Sequence, residues 1–296
     1  MVSSFFVFTR IVSNPLSNVF QKKLTGNSAS PVFIILTTHV FLSLAMLPIL
    51  FRLLPLELNF DFYLNILFCV LLAIAGNTLI VAALQITDLS ILGPINAYKS
   101  IVSLLLGIFL LGEIPTLMGA AGILLILVGS YFFIDQGTEN KEKSPFVQFF
   151  KDKGIQLRFA ALVLSATEAV FLKKALLLSS PLITFVFWCI LGAVASMIFS
   201  LFALKSGLLN QLETVRQRTS TYLLLALTTG LMQFSTLYTF GVLQVGYSLA
   251  LFQTSALLSV FFGYKFFQEQ NILQRLFGTS IMVIGAIFIV VFGKVS

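Results

Sequence analysis

The chain has 296 residues, of which 58% are hydrophobic and only 10% are charged. Soluble domains carry about 25% charged residues, so this balance excludes a soluble enzyme, and disordered chains show the reverse balance. The net charge of +7 is expected to come from Lys and Arg in loops that face anionic lipid, so no nucleic-acid partner is expected. A mean hydropathy of +1.02 predicts an all-α integral membrane protein.

Ten apolar runs of about 20 residues predict ten transmembrane helices. In chain order they lie near residues 2–21, 31–54, 62–84, 90–110, 115–134, 155–174, 181–204, 219–243, 247–267 and 271–293. Most connections are short, and the two longest are the loops 135–154 and 205–218. The first loop is the linker that divides the chain into five helices over 1–134 and five over 155–296.

The two halves are related as repeats. A shift of 156 residues places Glu113 on Glu269, Gly122 on Gly278 and Gly129 on Gly285. These pairs are charged or small, so shared hydrophobicity does not explain them. Because each half has an odd number of helices, the second half enters the membrane from the opposite side. The sequence therefore predicts two inverted five-helix repeats, an arrangement that secondary transporters use to hold substrate near the midplane.

The repeat and its motifs resemble the drug/metabolite transporter superfamily, EamA type, over essentially the whole chain. The matching residues are Pro94, Gly107, Gly112-Glu113, Gly122, Gly129, Gly263, Glu269, Gly278 and Gly285. The second half departs from the pattern, with Gln268 before Glu269 and Ala250 at the position of Pro94. The resemblance implies a multi-pass transporter, and we expect it in the bacterial cytoplasmic (inner) membrane.

Orientation is left open, because loop charge and resemblance disagree. If the N-terminus is cytoplasmic, as the resemblance implies, four cations lie at the cytoplasmic helix ends and twelve at the opposite ends. The twelve are Lys22, Lys23, Lys141, Lys143, Lys151, Lys153, Arg158, Lys205, Arg216, Arg218, Lys265 and Arg275. The excess of Lys and Arg in cytoplasmic loops would place both termini outside.

Ionisable side chains at membrane depth are costly, so each marks a candidate functional site. Arg10 shares one face of the first helix with Asn14 and Asn18, and Lys99 shares one face of the fourth with Asn96. The candidate substrate-binding residues are Arg10, Asn14, Asn18, Asn77, Asn96, Lys99, Gln233, Tyr238, Gln253 and Ser255, and the candidate for proton coupling is Glu168. In contrast, His39 is expected to pack, and Glu113 and Glu269 to cap or gate helix ends.

No enzyme motif, metal site or cofactor is expected. The chain has one histidine, two cysteines in apolar segments (Cys69 and Cys189), and no GxxxxGK[ST] loop. We therefore predict a gradient-driven transporter of a small metabolite, such as an amino acid or a similar zwitterion or anion. One alternative is a carrier of nucleosides, nucleotide derivatives or sugars, which requires aromatic side chains facing the cavity beside Asn96 and Gln253. Another is a lipid-handling or non-transporting scaffold, in which Lys99 and Glu168 would be fully paired.

Overall fold

In a computed structural model of the chain, the described residues are 2–26, 29–53, 55, 57–102, 116–133, 149–204, 207–243 and 245–292. These residues are helical throughout apart from turns and short connections, and none of them forms a strand. Among these residues, seven helices are long and apolar enough to cross a membrane, one of them being Ser248–Phe267. Glu113, Gly107 and Gly112, together with most of the linker 135–154, lie outside the described residues.

Apart from the fourth and ninth spans, the helices follow the predicted spans to within a few residues. They are α1 (Val2–Thr25), α2 (Pro31–Leu53), α3 (Phe60–Ile86), α4 (Leu89–Leu92), α5 (Leu117–Tyr131), α6 (Lys153–Leu177), α7 (Pro181–Leu204), α8 (Leu208–Gln217), α9 (Thr219–Val242), α10 (Val245–Gln253), α11 (Ser255–Phe267) and α12 (Ile272–Phe292). Side-chain caps fix the first residues of two of these helices. Thr116 and Asp152 accept hydrogen bonds from the backbone of Gly119 and Ile155, which caps α5 and α6.

Two predicted spans are interrupted and one predicted loop is helical. The fourth span begins as α4, continues as a 3₁₀ turn over Pro94–Ala97, and is helical again from 98 to 102. Proline lacks a backbone N–H, so Pro94 cannot continue the α-helical bonding pattern. The ninth span is divided at Thr254 into α10 and α11. The loop expected at 205–218 contains the amphipathic helix α8, which is too short to cross a membrane.

The most extensive helix pairings join one half of the chain to the other. They are α3 with α6, α5 with α12, α1 with α9, and α2 with α7. Large apolar side chains such as Phe51 and Leu117 are exposed on the outside of the bundle, as lipid contact requires. The interface between the halves therefore runs through the interior, where polar groups collect.

Glycines allow α5 and α12 to cross closely. A Cβ built on Gly122 would lie 2.7 Å from the carbonyl oxygen of Gly285, and one on Gly129 would lie 2.6 Å from that of Gly278. No side chain fits at such distances, so the two backbones are in direct contact. Small residues at helix crossings have this role in membrane bundles, and the sequence predicts it for these four positions.

Candidate functional site

A polar cavity lies between the two halves of the bundle. It is lined by residues of both interrupted spans and of six continuous helices. Its polar lining is Arg10, Asn14, Ser17, Asn18, Gln21, Thr38, His39, Asn77, Asn96, Lys99, Arg158, Ser165, Glu168, Thr229, Gln233, Thr236 and Gln253, together with Trp188. Nine of the eleven candidate residues from the sequence are in this set.

The polar face of α1 lines one wall of the cavity, at the spacing that the sequence indicates. Arg10 donates from Nε to Thr236 Oγ1 of α9 at 2.8 Å, and its guanidinium lies 4.9 Å from the centre of the Phe252 ring. Asn14 donates from Nδ2 to Ser255 Oγ at 3.4 Å. These contacts hold α1 against α9 and α11, so this wall is built from both halves.

Lys99 is positioned by the interrupted fourth span. Its side chain is only 9% exposed, and Nζ donates to the carbonyl oxygen of Ser165 on α6 at 3.0 Å. Gly93 precedes the 3₁₀ turn, and a Cβ there would lie 2.3 Å from Cβ of Ser259. This close approach packs the turn against α11 and brings Asn96 and Lys99 into the cavity.

Arg158, which the charge comparison counts among the cations at helix ends, also lines the cavity. It is 7% exposed and lies five residues after the first residue of α6. Its Nε donates to the carbonyl oxygen of Leu92 at 3.1 Å, and Nη2 donates to Asn96 Oδ1 at 3.4 Å. The signal for it in the sequence is helical spacing, since Ser165 and Glu168 follow on the same side of α6.

Glu168 is the only acidic side chain among the described lining residues. Within the described chain, no lysine or arginine nitrogen lies within ion-pair distance of its carboxylate. Its charge nevertheless interacts with those of Lys99 and Arg10 across the cavity. Cys69 Sγ lies 4.0 Å from Oε1. The carboxylate is therefore left without the lysine partner that a structural ion pair would give it.

The remaining candidates divide between the cavity and the surrounding helices. Asn77 lines the cavity, with its Nδ2 bonded to the carbonyl of Ala73 in its own helix at 2.8 Å. Ser255 lies behind the cavity wall as the partner of Asn14. Tyr238 stacks on Phe6 with ring centres 4.0 Å apart and does not line the cavity.

Helix geometry explains the position of Tyr238. It follows Gln233 by five residues, which turns it about 140° away from the face of α9 that carries Gln233. Thr229 and Thr236 keep the spacing of that face and do line the cavity. Gln233 and Gln253 are both buried lining residues.

His39 and Trp188 are lining residues that the sequence did not indicate. Their ring centres lie 4.5 Å apart, between α2 and α7. A Cβ on Gly192 would lie 2.1 Å from Nδ1 of His39, so this glycine makes room for the imidazole. His39 therefore both packs against its neighbours and lines the cavity, whereas the sequence predicts packing.

Several buried polar atoms of the lining have no hydrogen-bond partner among the described residues. The donors are Arg10 Nη1, Gln233 Nε2 and Trp188 Nε1, and the acceptors include Gln253 Oε1 and Gln21 Oε1. Buried polar groups in folded proteins are nearly always bonded. These atoms therefore lack the hydrogen bonds that burial usually requires.

An ion cluster joins the two halves at one end of the bundle. Glu269 bonds Lys22 Nζ at 2.9 Å and accepts from the backbone N–H groups of Leu89 and Ser90 at 2.8 Å each. Asp88 lies 2.9 Å from Arg275 and 3.8 Å from Lys22. Arg275, which the charge comparison counts among the cations at helix ends, is buried at 7% exposure.

The Glu269 carboxyl at the end of α11 is held in its charged form. Burial raises its pKa, but the hydrogen bonds from Lys22 and Ser90 and the charge of Lys22 outweigh burial, so the net pKa lies below its usual value. The expectation that Glu269 caps a helix end agrees with its two bonds to the first residues of α4.

The first half of the chain is similar to a known protein family. Residues 3–134 match the EamA-like transporter family. This match confirms the resemblance, and it places a domain of the drug/metabolite transporter superfamily in the first half of the chain. No curated protein matches the chain. The seven apolar helices among the described residues and the EamA-like match of the first half indicate a multi-pass membrane protein.

Proposed function

We propose that the protein is a secondary transporter that moves a small metabolite, such as an amino acid or a similar zwitterion or anion, across the bacterial inner membrane. The observation that carries this proposal is the cavity, which sets Arg10, Lys99 and Glu168 facing one another at the interface between the halves. Unpaired charges at membrane depth are costly and are retained where they bind substrates or ions. The EamA-like match of the first half supports the same function.

Alternating access between two inverted five-helix repeats is the proposed mechanism. Exchanging the halves converts α1 into α6 and α3 into α9, so the pairing of α1 with α9 corresponds to that of α6 with α3. The pairs α2 with α7 and α5 with α12 map onto themselves. The Glu269 cluster ties α1 and α4 to α11 and α12, and we propose that it opens when the halves rock.

Glu168 is the proposed proton-coupling residue, because it is a carboxylate without an ion-pair partner in the described cavity. Replacing it with Gln keeps the shape of the side chain and removes the titrating group. We expect Glu168→Gln to exchange substrate across the membrane but to lose accumulation against a proton gradient. Glu213→Gln, on the exposed helix α8, is the matched control. A Glu168→Gln protein that still accumulates substrate with protons would remove the coupling role.

A second candidate, a carrier of nucleosides or nucleotide derivatives, is favoured by one observation. Trp188, Phe240 and Phe252 line the cavity, and Phe252 is adjacent to Gln253. Against it, the Arg10 guanidinium already covers the Phe252 ring, which leaves less aromatic surface for a base. The scaffold alternative requires paired Lys99 and Glu168 and no cavity, and the described structure has the cavity and lacks that pair.

The test is a thermal-stability screen of the purified protein in detergent against amino acids, nucleosides, sugars and quaternary amines. A ligand that binds only the folded state stabilises it by about 2.7 kcal/mol at a hundredfold excess over Kd. We expect amino acids to raise the unfolding temperature of the wild type and not that of Lys99→Ala. Lys265→Ala, on an exposed part of α11, is the control. A shift with nucleosides alone would support the second candidate, and no shift with any class would contradict a binding cavity.

A further inference from the structure

The charges of the cavity are unbalanced. Arg10, Lys99 and Arg158 oppose the single carboxylate of Glu168 among the described lining residues. None of the ion pairs in the described chain joins any two of these four groups. A buried charge without a partner is costly, so a cavity with this excess of cations is complementary to a ligand with an excess of negative charge.

The four charges also divide into two ends. Lys99 donates to the carbonyl oxygen of Ser165, which precedes Glu168 by three residues on α6 and follows Arg158 by seven, so its ammonium lies nearer to the level of Glu168. Arg158 and Glu168 stand ten residues apart on α6, which corresponds to about 15 Å along the helix. Arg10 and Glu168 interact with each other. One end of the cavity therefore holds the guanidinium of Arg158 as its only charge among the described residues, and the other holds the carboxylate of Glu168 with the cations Lys99 and Arg10.

The free hydrogen-bonding atoms add to this polarity. Arg10 bonds Thr236 through Nε only, and its Nη1 has no partner among the described residues. An arginine held in this way presents donors in a plane that suits a carboxylate. At the other end, Arg158 is fixed by Leu92 and Asn96, so its charge is oriented before a ligand arrives.

From this arrangement we infer that the substrate is an amino acid with an anionic side chain. Its ammonium group pairs with Glu168, its α-carboxylate with Arg10 and Lys99, and its side-chain anion with Arg158. A neutral amino acid leaves the cation-only end without a counter-charge, and a dicarboxylate without an amine leaves Glu168 unpaired. This inference rests on the proposed transport function and narrows it.

Three ligands with the same number of carbon atoms test each end separately. Glutamine removes the side-chain charge of glutamate, and glutarate removes its ammonium group. Binding is measured with the purified protein in detergent, by titrating each ligand and following thermal stability. We expect glutamate to bind at least tenfold more tightly than glutamine and at least tenfold more tightly than glutarate.

Three variants at two positions assign the preferences to residues. Arg158→Gln should abolish the preference for glutamate over glutamine, whereas Arg158→Lys should keep most of it because the charge remains. Glu168→Gln should abolish the preference for glutamate over glutarate. Arg216→Gln and Glu213→Gln, both on the exposed helix α8, should change neither ratio. The unfolding temperature without ligand shows whether each variant folds.

The outcomes separate this inference from the broader proposal. If glutamine binds as tightly as glutamate to the wild type, the anionic side chain is refuted while amino-acid transport stands. If glutarate matches glutamate, the role of Glu168 as the ammonium partner is refuted. If none of the three ligands binds, the inference fails, and the proposed function fails as well only if the wider amino-acid screen also gives no shift. These wild-type comparisons hold even where a variant does not fold.

Discussion

Replacing Glu269 with Gln tests whether the ion cluster stabilises the contact between the two halves. The substitution keeps the size of the side chain and removes its charge. It weakens the bond to Lys22 and leaves one carbonyl oxygen where two carboxylate oxygens accept from Leu89 and Ser90. Arg275, whose guanidinium is 3.7 Å from the carboxylate, also loses part of its counter-charge.

The structure sets the expected size of the effect. The Glu269 side chain is 3% exposed, so solvent does little to replace its partners. A hydrogen bond to a charged group contributes about 1.5–3 kcal/mol, and breaking a buried ion pair costs about 3–5 kcal/mol. Because Gln retains part of the bonding, we expect Glu269→Gln to lower the free energy of unfolding by about 3 kcal/mol.

Denaturant unfolding of the purified protein in detergent measures this loss. Glu213→Gln removes a carboxylate from the exposed helix α8 and should change stability by less than about 0.5 kcal/mol. A double-mutant cycle with Lys22→Met should give a coupling energy of about 1–3 kcal/mol. Equal effects of Glu269→Gln and Glu213→Gln, or a coupling energy near zero, would refute this account of the cluster.

The same carboxylate predicts a dependence on pH. Its folded-state pKa is depressed, so its stabilisation is fully present above the ordinary pKa of about 4.5 and is lost as the pH falls through the lower folded value. The stability difference between wild type and Glu269→Gln should therefore be constant near neutral pH and shrink below about pH 4.5. A difference that instead grows on acidification would contradict the assigned direction.

Two further predictions use matched positions. Gly129→Val should destabilise the protein by several kcal/mol or prevent folding, because any Cβ at this position meets the backbone of Gly278. Gly207→Ala should change the unfolding temperature little, because a Cβ on Gly207 has no atom within 4 Å. Gln233→Leu should weaken ligand binding by about tenfold, because Gln233 lines the cavity, and Tyr238→Phe should not, because Tyr238 does not line it. Titrating the ligand into each purified variant measures the two affinities. Equal effects within either pair would contradict the packing or the cavity lining, respectively.

The sequence predicts the helices well because apolar length is a local property. The spans at 31–54 and 181–204 become α2 and α7 almost unchanged, and both begin at a proline. The polar face of α1 follows from spacing alone, so Arg10 and Asn14 are placed correctly. The ten-span count and the inverted repeats remain predictions.

The sequence does not predict which cations near helix ends are buried. Arg158 and Arg275 look like loop residues, because arginine near the end of an apolar run usually reaches solvent. Their burial depends on partners distant in the chain, such as Asn96 for Arg158 and Asp88 for Arg275. Two of the twelve cations in the charge comparison are therefore not on the surface, which weakens that comparison as an argument about orientation.

The central claim is that the cavity carries substrate across the membrane. Counterflow in proteoliposomes tests it most directly, with unlabelled amino acid inside and labelled amino acid outside, using glutamate and glutamine in parallel. We predict uptake of at least one of them by the wild type and by Lys265→Ala, and its loss in Lys99→Ala. Uptake equal to that of empty liposomes, or uptake by Lys99→Ala at the wild-type rate, would contradict the claim.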